Sequence, residues 1–177
     1  MATGPLFLAV GIAQGFARDG FDFTRNAISQ LALGPAGWIQ TVSFVLTGAL
    51  LIACATGFRR VLRGGPGATW AAALVGVFGV SFWGAAASPA GAGAGFPAGA
   101  PEEAVMSGHG AVHMFGGMIG YLALCAALVV LARPLAARGL RGWAVASRAV
   151  PVAVLAGFMA SAASVPARLM AGAGSAK

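Results

Sequence analysis

Four predominantly apolar stretches of about twenty residues each occur in this chain: Trp38 to Gly57, Ala68 to Ala87 and Ala111 to Ala132, all without a charged side chain, and Ala144 to Val165, whose one charge is Arg148 near its start. A helix rises about 1.5 Å per residue, so about 20 apolar residues cross the hydrocarbon of a bilayer. No other feature constrains the fold as strongly. Irregular backbone exposed to lipid would leave its N–H and C=O groups unpaired, so such runs fold as helices. The chain is 59% apolar and 8% charged, far from the balance of soluble domains. The expected fold class is all-α, a single polytopic transmembrane helical bundle over residues 1–177. A fifth apolar segment, Thr3 to Ala17, is short for a span. Either it lies upright at a thinned edge of the bilayer or it is part of a longer first helix.

The charges sort by loop. Arg59, Arg60 and Arg63 follow the second helix, and Arg133, Arg138, Arg141 and Arg148 flank the connection of the fourth to the fifth. Arginine-rich short loops remain cytoplasmic, which places the N-terminus inside and the protein in the cell inner (plasma) membrane. All four acidic residues, Asp19, Asp22, Glu102 and Glu103, fall in the two opposite loops. Arg168 and Lys177 then lie outside, against the trend. The net charge of +7 follows this topology and carries no nucleic-acid signal. The lipid bilayer is the expected partner, with other membrane subunits or a second copy of the chain as further candidates. Cys54 and Cys125 lie within separate apolar runs and read as small packing residues.

Small residues recur every fourth position at Gly11 and Gly15, at Ala49, Ala53 and Gly57, at Gly116 and Gly120, and at Ala153, Gly157 and Ser161. Such ridges let helices approach closely where lipid offers no hydrophobic drive. An Ala/Gly-rich composition also produces them by chance, and Gly116 with Gly120 is the best candidate.

In the first acidic loop, Asp22 has the character of a helix N-cap, Phe23, Ala27, Ile28 and Leu31 recur at helical spacing, and Gly34-Pro35 stops the pattern. A short amphipathic interfacial helix is expected, its polar face carrying Arg25, Asn26, Ser29 and Gln30, with Trp38 anchoring the next span. The other acidic loop, SPAGAGAGFPAGAPEEAVMSG, has no period and reads as an irregular, flexible flap.

The only histidines, His109 and His113, stand four residues apart, a spacing that projects two imidazoles from one helix face. A helix N-terminus carries partial positive charge and leaves the neutral ring available to a metal or a hydrogen bond. Two histidines are half a tetrahedral set; Asp22 or Asp19, with Glu102 and Glu103 as looser options, would have to complete a site for zinc or another divalent metal. The plainer reading is a histidine bonded to a neighbouring helix or headgroup. Arg18, Asp22, Arg25, Asn26, Ser29, Trp38, Ser107 and His113 are the binding candidates. No phosphate loop, nucleophile elbow or Cys-x-x-Cys is present. No charge sits mid-helix, which argues against a voltage sensor or a carboxylate pump.

The segments GFDFTRNAISQLALGPAGWIQ, FPAGAP and SGHGAVH, in this order, resemble the bacterial membrane proteins grouped as domain of unknown function 998. The resemblance runs from about Gly15 to Arg138. It implies a membrane architecture and singles out Ser29, Leu31, Gly34, Gly37 and Trp38, then Pro97 and Gly99, then Ser107, Gly110 and His113. Where that family usually has Asp-Pro, this chain has Ser88-Pro89, so one candidate ligand or base is replaced. Its members also tend to carry a complete first helix and often a sixth. A more distant likeness to the alkaline ceramidase and progestin/adipoQ receptor group, membrane hydrolases with zinc on several histidines, stops at the histidine count, since that site takes three.

Three functional classes follow. A non-catalytic small-molecule or lipid-binding module or assembly subunit is the leading one. A metal-dependent membrane hydrolase with a His/Asp site at the outer face is the alternative, and transport is the third.

Overall fold

The computed structural model describes residues 3–61, 66–103 and 107–174, with side chains described at 3–60, 67–103 and 107–157. Five α-helices follow one another: α1 (Thr3–Ala17), α2 (Gly37–Val61), α3 (Pro66–Ala87), α4 (Gly108–Ala137) and α5 (Arg141–Gly174). One 3₁₀ helix, Ile28–Ala32, lies between α1 and α2. Among the described residues there is no β-strand, and α2, α3 and α4 are each long and apolar enough to cross a membrane.

Each helix packs mainly on its neighbours in sequence, so the five form a row with α3 between α2 and α4. α1 rests on α2 and the 3₁₀ turn, and α5 rests on α4. Leu6, Leu8, Ile12 and Phe16 of α1 stay exposed. An outward apolar surface of this kind is what a lipid-facing helix presents.

The close approaches differ from those the four-residue spacings suggest. α2 and α3 meet at Gly48 and Gly79: a Cβ at Gly48 would lie 2.7 Å from the Gly79 carbonyl oxygen and from the Trp83 indole. Trp83 seals this crossing by donating its indole N–H to the Val45 carbonyl at 3.1 Å. On α4, Gly120 packs on Ser81 and Phe78 of α3, whereas Gly116 faces open space. Gly11 and Gly15 meet no other α-helix in this way; Gly11 accommodates Ile28 of the 3₁₀ helix and Gly15 accommodates Phe23 of the loop before it. Ala49, Ala53 and Gly57 lie away from the α2–α3 seam, the two alanines exposed and Gly57 with open space around it. Gly157 likewise meets nothing, and the side chain of Ser161 lies outside the described residues. Cys54 is exposed and Cys125 buried, both as free thiols.

The helices overrun their apolar cores. α2 continues through Arg59 and Arg60, and α5 runs to Gly174, so Arg168 belongs to a helix and not to a tail. Backbone hydrogen bonding persists into a polar environment, which the end of an apolar run does not register. Arg63 lies outside the described residues.

Candidate functional site

The loops Arg18–Ala36 and Ser88–Glu103 fold together over one end of the helix row. Their composition suggested an amphipathic helix and a flexible flap; the structure shows one interlocked layer instead. The Asp22 carboxylate accepts hydrogen bonds from the backbone N–H and the hydroxyl of Thr24, each 2.7 Å, and these hold it below the usual carboxylate pKa. Its carbonyl accepts from the N–H groups of Arg25 and Asn26, closing a turn. Ala27 is then extended (φ −77°, ψ 144°), which ends any helix before it propagates. Asp22 therefore caps a turn, and the helix is reduced to the five residues Ile28–Ala32.

Side-chain amides supply the lock. Buried Asn26 donates to the carbonyls of Gly93 and Ala94 at 3.4 Å while its Oδ1 accepts from the Asp22 N–H at 2.9 Å. Gln30 donates to the carbonyls of Gly91 and Gly93 at 3.2 and 3.3 Å and accepts from the Ala27 N–H at 3.0 Å. Arg25 forms an exposed ion pair with Glu102. Arg18 donates to the carbonyls of Leu31 and Leu33, at 3.2 and 2.6 Å, and its guanidinium lies 5.2 Å from the ring centre of Phe96. Phe96 is 1% exposed, with Phe21 edge-on at 5.3 Å. Residues read as binding candidates thus hold the layer together. Trp38, at the start of α2, is exposed.

The SGHGAVH segment joins this layer to α4. Ser107 caps the helix by accepting from the Gly110 N–H at 3.0 Å. Gly110 is buried where a Cβ would crowd the Gly91 backbone at 3.2 Å. One turn deeper, His113 Nδ1 stands 2.8 Å from the Ser88 carbonyl oxygen. A carbonyl can only accept, so Nδ1 donates and the Nε2 of the neutral ring is an acceptor. His109 is exposed at the first turn. Among the described residues no three of His, Cys, Asp and Glu gather closely enough to hold a metal ion. His109, His113 and Asp22 are thus not brought together, because Asp22 is held in its own turn and His113 by Ser88.

His113 also forms part of the wall of a cavity of about 320 Å³, partly open, beneath the interlocked loops. Four helices and the 3₁₀ turn build it. Phe7 of α1, Phe44 of α2 and Phe82 of α3 meet ring to ring, with centroids 5.3 to 6.1 Å apart, a spacing at which aromatic pairs attract. Phe78 continues the wall to Tyr121 at 5.4 Å, and His113 lies 6.2 Å from Phe44. The lining residues with polar side chains are Ser29, Ser81, His113 and Tyr121, and no charged side chain lines the cavity. Gly117 lines the cavity without filling it, since a Cβ there would meet nothing within 4 Å. Of the binding candidates, Ser29 and His113 reach this wall.

The sequence reading missed two groups. One is the aromatic wall itself, signalled by Phe78 and Phe82 at four-residue spacing. The other is the buried pair Gln14 and Gln40, 7% and 0% exposed, joined across α1 and α2 by a 2.7 Å hydrogen bond from Gln14 Nε2 to Gln40 Oε1. Gln40, Ser43 and Thr47 form a buried polar stripe on α2. Polar residues of a membrane helix turn toward the protein interior, which is the signal that could have found them.

Fold and site together define a small all-helical protein with three potential membrane spans and an uncharged aromatic cavity under a hydrogen-bonded loop layer. Residues 1–176 match the model of a family described as "Protein of unknown function (DUF998)", and the chain belongs to that family. No curated protein and no solved structure matches it.

Proposed function

We propose that this chain is a non-catalytic membrane module that binds a small apolar molecule or single lipid chain in the cavity bounded by Phe7, Phe44, Phe82 and His113. The observation behind this reading is an aromatic, charge-free cavity with a few polar atoms, the usual make-up of a small-molecule site. The bilayer would surround α2, α3 and α4, with the Arg59 and Arg133 end on the cytoplasmic side of the inner membrane and the interlocked loops outside. No observation favours a metal-dependent hydrolase.

The test uses Gly117→Leu, which grows into the cavity from a position where a Cβ meets nothing within 4 Å, beside Gly84→Leu, an equivalent change at an exposed helix position where a Cβ likewise meets nothing. With the protein in nanodiscs, the apolar fluorophore 1-aminoanthracene is titrated. Saturable binding that disappears in Gly117→Leu and persists in Gly84→Leu is expected. Identical titrations for all three proteins would overturn the reading.

A further inference from the structure

We infer that the ligand is a neutral, single-chain amphiphile whose headgroup donates a hydrogen bond, in the simplest case an alcohol, with His113 Nε2 as the acceptor. This rests on the binding reading above and adds the chemistry of the headgroup.

The polarity of the wall carries the argument. His113 has its donor spent on Ser88, and Nε2 has no hydrogen-bond partner among the described residues. Ser81, another lining residue, donates its hydroxyl hydrogen to the Phe78 carbonyl at 2.7 Å, so its oxygen has only lone pairs left to offer. Two of the wall's polar groups are therefore acceptors, and an occupant that satisfies them must bring the hydrogen. A hydrocarbon would leave Nε2 without a partner in an apolar surrounding, which is unfavourable. An anionic headgroup would meet no counter-charge on the wall, since no charged side chain lines the cavity. Size narrows the choice further. A volume of about 320 Å³ lies near the bottom of the range of roughly 300–1,000 Å³ for small-molecule pockets, which suits one chain and not a two-chain phospholipid.

The experiment displaces 1-aminoanthracene from the full-length protein in nanodiscs with 1-dodecanol, with its capped ether 1-methoxydodecane and with dodecanoate, concentrations expressed per lipid so that partitioning cancels. One hydrogen bond is at stake, so the alcohol should compete about tenfold better than the ether. Dodecanoate should be weaker than the alcohol. The gap between alcohol and ether should close in His113→Phe, which keeps a ring against Phe44 without its acceptor. Equal competition by alcohol and ether in the wild type, or a gap that persists in His113→Phe, would overturn the headgroup assignment while leaving a Gly117-dependent cavity standing. Fluorophore binding that ignores Gly117→Leu would remove both.

Discussion

Two regions of this molecule solve the same problem by opposite means. In the helix row, α2, α3 and α4 are joined where a side chain is missing: Gly48 and Gly79 bring two backbones together, and Gly120 admits Ser81. In the loop layer, Asn26, Gln30 and Arg18 reach across to carbonyls that no helix or strand would satisfy. The difference follows from the surroundings. Apolar surface gains nothing by leaving lipid for protein, so van der Waals contact at small residues decides helix association. Irregular backbone has the contrary need, since each unpaired carbonyl beneath the layer costs free energy until a donor is found. The cavity lies at the junction, walled by the helix row and roofed by the layer, with His113 tied to both.

The largest expected effect tests the glycine seam. Gly48→Leu places carbon against the Gly79 carbonyl oxygen and the Trp83 ring, with no flexible neighbour to yield. Overpacking of this kind costs about 3 kcal/mol. Detergent-solubilised protein should show a sharply lower Tm, whereas Gly57→Leu, where a Cβ meets nothing, should melt like the wild type. Equal melting of the two variants would show that the Gly48 crossing does not hold the row.

Next comes the exception that introduces the loop layer's chemistry into the helices, the Gln14–Gln40 pair. Removing one amide strands the other in a buried site, while removing both strands nothing. Gln40→Leu should cost about 2 kcal/mol, and Gln14→Leu/Gln40→Leu should recover most of it. Additive losses in that cycle would mean the amides act separately.

Within the loop layer, Asn26→Ala removes both donations to the carbonyls of Gly93 and Ala94. The cost should be about 1 kcal/mol, and hydrogen exchange should quicken at the backbone amides of residues 91–96 with little change in α3. Faster exchange throughout α3 would mean that layer and helix row unfold as one.

The smallest effect is on Asp22, fully exposed, whose carboxyl is lowered by Thr24 and by the nearby Arg25. A carboxyl with a lowered folded pKa stabilises the fold above its unfolded pKa, near 3.8, and that contribution fades as pH falls through the lower folded value. Between pH 6 and pH 5 the Thr24→Ala variant and the wild type should differ in Tm by a constant small amount, and the difference should narrow only below about pH 4. A difference that narrows already between pH 7 and pH 5 would point to another group.

The same contrast separates what was legible in the sequence from what was not. Helix existence was legible because long, predominantly apolar runs admit no other fold in lipid, and α1 to α5 all appear where the runs lie. Helix ends were not, since Arg59, Arg60 and the residues beyond Val165 continue a backbone pattern that hydropathy does not read. Four-residue spacing shows which glycines and alanines could form a ridge; which ridge meets a partner depends on how the helix is turned, so Gly48–Gly79 was missed, and of the favoured pair Gly116 and Gly120 only Gly120 meets a neighbouring helix. In the loops, Asn26 and Gln30 look like a polar helix face in one dimension, because their partners are carbonyls more than sixty residues away. His113 was recognised as inward-facing, but its partner is the backbone of Ser88, which no residue-type pattern specifies.

The most direct test of the cavity as a binding site is the anomalous scattering of bromine from 12-bromododecan-1-ol in crystals grown in a lipidic phase. A bromine peak inside the Phe7–Phe44–Phe82 wall, with the hydroxyl at His113, is the expected result. Bromine found only on the outward apolar surfaces of the helices, with the cavity wall unchanged, would contradict it.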